Sequence, residues 1–295
     1  KNELAGENDE DPFGNRPVFN PLSTLSKPMD GKRQNVERLP AAEAKYRAHG
    51  HLPTTSFRRK FFPHATRKDW NDWRWQIQNR IHTPDQLQKI LRLSAQERLA
   101  LEMNSSSLPI GVTPYFMSLL PPEETDHPLR RTVIPTIDEF LKMPGESDDP
   151  LAEEAHSPLP GLVYRYPDRV LFLALDFCST YCRYCTRSRI VGHGAIVPSR
   201  SRWQKAIDYI AATPQIRDVL ISGGDPLTIG DDRLQWLLAR LRQIAHIDII
   251  RIGTKIPAVL PQRITPTLVR MLPIFIHKMQ EDNSVGSRKR WANSL

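Results

Sequence analysis

The residues of this sequence that could do chemistry are three clustered cysteines. Cys178, Cys182 and Cys185 are the only cysteines among 295 residues, and they follow the pattern Cys-x3-Cys-x2-Cys. An odd count without distant partners argues against a disulfide framework. Three thiolates in one loop could instead bind one face of a four-iron cluster, which normally takes four thiolates. One iron would then be open to an external chelating molecule.

Two other interpretations of the cysteine loop remain open. A structural zinc ion needs a fourth ligand, which His193, eight residues after Cys185, could provide. Zinc motifs, however, usually pair cysteines two to four residues apart in separate clusters. Buried inert thiols are the other alternative, although packing alone rarely needs three of them in one short loop. The spacing therefore favours the iron–sulfur cluster.

The hydrophobic pattern around the cysteine loop predicts the strands and helices that hold the loop in place. Residues 170–175 form a continuous apolar run, typical of a strand buried on both faces, and the cysteine loop follows directly. Strand and helix signals then alternate, with a helix from about residue 201, a strand at 218–222, a helix from 231, a strand at 247–252 and a helix at 265–272. This order predicts an α/β fold with a parallel sheet and right-handed crossovers.

A second loop is expected at the same edge of the sheet. Gly223, Gly224 and Asp225 follow the strand at 218–222, and ligands of parallel sheets bind at the carboxyl ends of the strands. Two glycines allow a close backbone approach, and an acid can accept a hydrogen bond from an ammonium group. Such a turn is ordinary by itself, but its position beside the cysteine loop predicts a binding site.

The first half of the chain differs in composition from the alternating strand and helix pattern of the second half. Many of the 26 prolines lie before residue 170, and residues 1–60 are polar, so they predict an extended or disordered arm. Residues 61–160 predict a helical and irregular region, including one helix in which Trp70, Trp73, Ile77 and Ile81 share an apolar face. Capping boxes at 83–86 and 94–97 predict two further helix starts.

Composition narrows the function classes. The net charge of +8 would suit a nucleic-acid surface, but 41 basic residues are scattered among 33 acidic ones, and the one tight basic run is 288–290. A mixed, solvated surface is the favoured interpretation. The longest apolar run is far too short to span a bilayer, and the first residues do not resemble a signal peptide. We therefore expect a cytoplasmic protein without a membrane partner.

The cysteine loop resembles that of the radical S-adenosylmethionine superfamily, including Tyr184, an aromatic residue just before the last cysteine. Flanking segments resemble the lysine 2,3-aminomutase family over roughly residues 60–270. The segments that carry this resemblance are 165–169, 182–187, 213–220, 222–225 and 261–265, together with the tryptophan helix and residues 158–162. The resemblance implies a (β/α) barrel of the radical S-adenosylmethionine type, here partial and spanning 161–272, preceded by the helical region.

The resemblance also implies roles for site residues. It makes Cys178, Cys182 and Cys185 ligands of a 4Fe-4S cluster. Residues implied to bind cofactors or substrate are Tyr184 near the adenosyl group, Gly223, Gly224 and Asp225 at the methionine amino group of S-adenosylmethionine, Arg169 at the phosphate of pyridoxal phosphate, and Arg187 at the substrate carboxylate. An arginine fork suits phosphate and carboxylate better than lysine does, although either arginine alone would ordinarily be a surface residue.

The implied reaction moves the α-amino group of L-lysine to the β-carbon, through a 5′-deoxyadenosyl radical and pyridoxal phosphate. Its partners would be the free amino acid and a low-potential electron donor, and the full-length protein would be a homo-oligomer. Alternatives are the lysine aminomutase related to elongation-factor modification, and glutamate or arginine 2,3-aminomutase. An alternative of another class is a non-catalytic metal-binding or nucleic-acid-binding fragment.

The chain departs from the family pattern after about Met271. Residues 273–295 are an atypical tail, as a fragment or a shifted reading frame would produce. Neither Lys255 nor Lys278 has the setting of the family's pyridoxal-phosphate lysine, so no catalytic residue is assigned. An open barrel would expose sheet edges. We therefore expect a chain that is poorly stable alone and lacks aminomutase turnover.

Overall fold

The structure, a computed structural model, describes residues 54–103, 108–141 and 143–276. The helices and strands are α1 (Thr54–Phe61), α2 (Arg67–Asn71), α3 (Trp73–Gln78), α4 (Pro84–Gln88), α5 (Ala95–Met103), α6 (Pro114–Met117), α7 (Pro128–Arg131), β1 (Leu162–Tyr166), β2 (Arg169–Leu175), α8 (Arg200–Ala211), β3 (Asp218–Gly223), α9 (Asp231–Arg242), β4 (Ile249–Ile252), α10 (Ile256–Val259) and α11 (Pro266–Ile276). Short 3-10 turns occur at Ile137–Phe140, Pro226–Thr228 and Pro261–Arg263. None of the helices in these ranges is long and apolar enough to cross a membrane.

The strands form a four-stranded mixed sheet in the order β1-β2-β3-β4. β2, β3 and β4 are parallel, as the alternation of strands and helices predicted. β1 was not predicted, and it pairs with β2 in the antiparallel direction. The two strands are joined by a turn at Pro167-Asp168, residue types that favour turns. The fold is therefore α/β with a mixed sheet, and closure into a barrel stays a prediction.

β2 is the buried centre of this sheet. Val170, Phe172 and Leu175 are each at most 3% exposed, and residues on both faces of the strand are buried, as the apolar run predicted. α8 packs Trp203 against the strand, and its indole Nε1 donates to the carbonyl oxygen of Ala174 at 2.8 Å. The other buried residues of α8 lie on the predicted apolar face of that helix.

The tryptophan helix is in fact two short helices. Asp72 ends α2 and begins α3, because its carboxylate accepts a hydrogen bond from the Arg74 amide at 2.8 Å. Trp70 and Trp73 are 7% and 8% exposed, so their predicted core role is confirmed. Ile81 lies beyond the helices and forms a β-bridge with Val112. The single-helix prediction missed the capping preference of aspartate.

The predicted arm at 1–60 needs a correction at its end. Residues 1–53 lie outside the described residues, but α1 begins at Thr54 and therefore extends the helical region. Phe57 is buried there, with ring centroids 4.7 Å from Phe61 and 6.3 Å from Trp70. This aromatic packing makes the segment helical. Likewise, α11 continues past the predicted limit of 272, and residues 277–295 are outside the description.

The predicted capping boxes at 83–86 and 94–97 are both confirmed. The second capping box begins α5. Its Glu97 forms an ion pair with Arg130, which is fully buried. The Nε and Nη2 atoms of Arg130 each lie 2.8 Å from a Glu97 oxygen, and its guanidinium also donates to the carbonyl oxygens of Arg92 and Pro122. Two charges can remain buried because each is paired and hydrogen-bonded.

A second buried arginine joins the helical region to the sheet region. Arg263 is 0% exposed, and its guanidinium carbon lies 4.6 Å from the ring centroid of Trp73. Its nitrogens donate to the carbonyl oxygen of Leu227 at 2.7 Å and to the carboxylate of Asp231. The Thr113 hydroxyl also donates to the Val259 carbonyl at 2.8 Å. The N-terminal helices are therefore packed firmly against the α/β part.

The Arg130–Glu97 pair gives a stability prediction. Arg130→Met leaves a buried carboxylate without its partner, so we expect the free energy of unfolding to fall by about 3–5 kcal/mol. The matched control is Arg92→Met, which breaks the exposed pair with Glu123 and should cost at most about 1 kcal/mol. Urea unfolding followed by tryptophan fluorescence measures both. Equal costs for the two variants would contradict the role given to the buried pair.

The end of β3 gives a second stability prediction. Gly223 has a φ of +107°, and a Cβ there would lie 2.2 Å from the Leu175 carbonyl oxygen. We expect Gly223→Ala to lower the free energy of unfolding by at least about 2 kcal/mol, from a disfavoured backbone conformation and a backbone clash.

The control for this variant is Gly253→Ala, which follows β4 as Gly223 ends β3. Its Cβ would meet the Ser222 Oγ atom at 3.4 Å, an ordinary contact. We therefore expect a change below about 1 kcal/mol in the same urea experiment. If Gly223→Ala were as stable as Gly253→Ala, the close approach of β3 to Leu175 would be disproved.

Candidate functional site

The two predicted loops meet at the carboxyl ends of β2 and β3. The amide of Gly224 donates to the Leu175 carbonyl at 2.6 Å, and the amide of Asp225 donates to the Phe177 carbonyl at 2.9 Å. These bonds continue the parallel pairing of the strands into the loops. The structure therefore brings the cysteine loop and the Gly223-Gly224-Asp225 segment together, as the sequence predicted.

The two glycines are needed by this junction itself. A Cβ at Gly224 would lie 2.3 Å from the carbonyl oxygen of Phe177, and Gly223 is just as close to Leu175. The close backbone approach that the glycines allow is thus made to the chain's own cysteine loop. Their predicted contact with S-adenosylmethionine stays a prediction.

Asp225 is 5% exposed and bonded within the chain. Its carboxylate accepts from the Leu227 amide at 3.1 Å, the Thr254 hydroxyl at 2.7 Å and the Lys255 amide at 2.7 Å. Burial raises the pKa of this carboxyl, and the hydrogen bonds oppose that shift. Asp225 therefore ties the start of α10 to the loop after β3. Its predicted acceptance of a methionine ammonium stays a prediction.

Residues of the N-terminal region hold the cysteine loop from outside. Arg80 Nη1 donates to the Cys178 carbonyl at 2.8 Å, and its guanidinium carbon lies 4.4 Å from the Phe177 ring centroid. The Tyr181 amide donates to Gly111. Sequence reasoning missed Arg80, because nothing in its neighbourhood in the sequence indicates a contact with the cysteine loop.

A second arginine anchors the loop from within. Arg183 Nη1 donates to the Leu108 carbonyl at 2.8 Å, and its Nε lies 3.0 Å from the Glu139 carboxylate. The Arg183 amide also donates to the Thr132 carbonyl at 2.9 Å. The region 108–141 therefore wraps around the loop, as expected for an irregular segment covering another part of the chain.

The three thiols are free and partly buried. Burial raises the pKa of Cys178, and the negative charges of Asp225 and of the other two cysteines raise it further. Burial is also the main cause of the raised pKa of Cys185. The thiolate forms of Cys178 and Cys185 are thus disfavoured in the free chain. A metal centre would supply the positive charge that stabilises bound thiolates.

Among the described residues, the three thiols do not form a site for a single metal ion. In the described ranges, no three or more His, Cys, Asp or Glu side chains converge in a way that would hold a single metal ion. The His193 Nε2 atom lies 3.0 Å from the Ser188 carbonyl oxygen. The thiolates of a four-iron cluster bind different irons, so they need not converge on one point. The donor set of three free thiols in one loop fits such a cluster.

Lys255 lies at the site, although no role was predicted for it. Its Nζ atom donates to the Cys182 sulfur at 3.0 Å and to the Tyr184 hydroxyl. Burial opposes its charge, but these two hydrogen bonds raise the pKa of Lys255 above its ordinary value. Tyr184 is itself 62% exposed. The signal that could have found Lys255 is its position directly after β4, at the same edge of the sheet.

Arg187 follows the cysteines and pairs with a residue that sequence reasoning also missed. Its Nε atom donates to the Glu153 carboxylate at 2.9 Å, and the Glu153 side chain is 7% exposed. The guanidinium therefore lies beside the cysteine loop. Binding of a substrate carboxylate by Arg187 stays a prediction.

Arg169 is not brought to this edge of the sheet. It is the first residue of β2, and its Nε atom pairs with the Asp168 carboxylate at 2.9 Å. The six residues to Leu175 span roughly 20 Å at the usual rise of a strand. Binding of the pyridoxal phosphate group by Arg169 stays a prediction.

No protein-family model matches the chain. An L-lysine 2,3-aminomutase of Clostridium subterminale is 48% identical over 215 residues, which are 73% of this chain and 52% of that protein. The L-lysine 2,3-aminomutase of Acetoanaerobium sticklandii is 46% identical over 217 residues, 74% and 52% of the two chains. A glutamate 2,3-aminomutase of Clostridioides difficile is 38% identical over 217 residues, 72% and 51% of the two chains.

The chain spans about half the length of the curated relatives it matches. The matched part is nevertheless more than 200 residues long in each comparison. Its extent agrees with the resemblance found in the sequence over roughly 60–270. On these matches, the chain belongs to the L-lysine 2,3-aminomutase family.

Proposed function

We propose that this chain provides the iron–sulfur and S-adenosylmethionine site of an aminomutase that moves the α-amino group of L-lysine to the β-carbon. The observation that carries the proposal is the loop of three free thiols at the carboxyl edge of a parallel sheet, in a chain whose relatives are named aminomutases. When bound, a reduced cluster supplies one electron to the sulfonium of S-adenosylmethionine, which breaks a carbon–sulfur bond.

The chain's own residues orient and protect such a site. Cys178, Cys182 and Cys185 hold the cluster by one side, and Arg80 fixes the carbonyl of the first of them. Lys255 places a positive charge beside the Cys182 sulfur, which stabilises negative charge there. The buried ring of Tyr181 lies within the loop, in an apolar cluster against which Cys178 and Cys185 pack. This packing matters because a carbon radical must be kept from water and other side chains.

One observation supports lysine as the substrate. Two relatives named for L-lysine are 48% and 46% identical to the chain, whereas the relative named for glutamate is 38% identical. Arg187 offers a guanidinium for the carboxylate that all amino acids share, so it does not discriminate between them. Glutamate is accordingly the second candidate. The proposal requires a free amino acid and a low-potential electron donor as partners.

Anaerobic reconstitution with iron and sulfide tests the cluster. We expect four irons per chain and a broad visible absorption, and Cys182→Ala should lose both because a thiolate ligand is missing. His193→Ala is the matched control and should keep four irons. One zinc per chain that His193→Ala removes would instead support the zinc alternative and contradict the proposal.

Cleavage of S-adenosylmethionine tests the chemistry. With dithionite as the electron source, the cluster-loaded chain should release 5′-deoxyadenosine and methionine, measured by liquid chromatography, and Cys182→Ala should release neither. Absence of 5′-deoxyadenosine from a chain with four irons would contradict the proposed chemistry.

A further inference from the structure

We infer that Glu153 is a positioning residue that fixes the guanidinium of Arg187 for a ligand carboxylate. The inference rests on the proposed function and deepens it, because it assigns a role to a residue outside every motif that the sequence analysis singled out. It is carried by the burial of Glu153, by the backbone that precedes it, and by the way it contacts Arg187.

Glu153 points inward from a stretch that is otherwise exposed. It is 5% exposed, whereas its neighbours Leu151, Ala152, Glu154 and Ala155 are all exposed. A buried carboxylate costs free energy unless it is paired, and the partner of Glu153 is Arg187 at 2.9 Å. The turn at this point therefore places the Glu153 carboxylate against the Arg187 guanidinium.

The backbone before Glu153 is strained. Ala152 has a φ of +50°, the one positive value among the non-glycine residues that the structure describes. A residue with a Cβ rarely adopts this conformation, and such strain collects at functional sites. Here it turns the chain so that Glu153, rather than Glu154, faces the cysteine loop.

The contact with Arg187 leaves the binding end of the guanidinium available. Glu153 accepts from Nε, and within the described part of the chain neither Nη atom of Arg187 makes a hydrogen bond. A carboxylate binds an arginine in a bidentate way through two parallel N–H bonds. With Nε held by Glu153, the two Nη atoms can provide that pair for an incoming carboxylate.

The same contact fixes the guanidinium relative to the cysteines. Arg187 lies two residues after Cys185, and the amide of the next residue, Ser188, donates to the Cys185 carbonyl at 3.2 Å. A second pair, between Arg189 and Asp149 at 2.8 Å, docks the same turn two residues further along. Glu153 therefore sets the distance between a bound amino-acid carboxylate and the cluster loop.

The opposite role for Glu153 would be that of a placeholder, occupying the carboxylate site until substrate displaces it. The side-on contact with Nε favours positioning, since a placeholder would use the Nη pair. The two roles predict opposite effects of removing the charge. Glu153→Gln should weaken carboxylate binding if the residue positions Arg187, and strengthen it if the residue is a placeholder.

The test compares L-lysine with 1,5-diaminopentane, which lacks the carboxylate, by calorimetric titration of the anaerobically reconstituted full chain. We expect the wild type to prefer L-lysine. Glu153→Gln should raise the Kd for L-lysine about tenfold, the loss expected for a charge-assisted hydrogen bond, and leave the Kd for the diamine unchanged. A merely structural role would weaken both ligands alike.

A matched control should keep the preference of the wild type. Glu154→Gln changes the exposed neighbour, whose carboxylate contacts Arg189 and not Arg187. The inference is overturned if Glu153→Gln binds L-lysine as well as or better than the wild type, or loses both ligands. It is also overturned if Glu154→Gln gives the same loss, or if the wild type shows no preference.

Iron analysis of the same samples separates the two claims. A wild-type chain that takes up no cluster contradicts the proposed function, and with it the inference that rests on it. A chain with four irons that prefers L-lysine, but is indifferent to Glu153→Gln, keeps the proposed function and overturns the role of Glu153 alone.

Discussion

The close approach of the loops after β2 and β3 is the constraint on which the rest of the structure depends. Gly223 and Gly224 have no room for a Cβ because the carbonyls of Leu175 and Phe177 lie directly against them. This contact fixes where the cysteine loop begins. It also fixes Asp225, which in turn holds Lys255 through its backbone amide. The position of the site is therefore set by main-chain contacts, while its chemistry is set by side chains.

Sequence patterns predicted well those features that depend on neighbouring residues, namely single strands, helix faces and helix caps. The apolar run of β2, the helical face of α8 and the capping box of α4 each appear as expected. The parallel order followed from the alternation of elements, and it placed both loops at one edge. β1 escaped prediction because its pairing depends on a tight turn back onto β2, and the tryptophan helix was divided by a capping aspartate.

The contacts around the site could be predicted less well, because they join residues that are far apart in the sequence. Arg80, Glu153 and Lys255 reach the cysteine loop from three different segments, and none lies in a motif. Arg169 shows the converse case. It lies close to the cysteine loop in the sequence, but a strand carries it to the opposite edge of the sheet. Nearness along a strand is thus a poor guide to nearness in space.

The hydrogen bond from Arg80 to Cys178 makes the shape of the cysteine loop depend on a remote part of the chain. It joins residues 98 positions apart, and closing so large a loop costs entropy that other contacts must offset. The packing of the helical region against the α/β part provides those contacts. A metal centre held by the three thiols would accordingly depend on the docked helical region, and not on the cysteine loop alone.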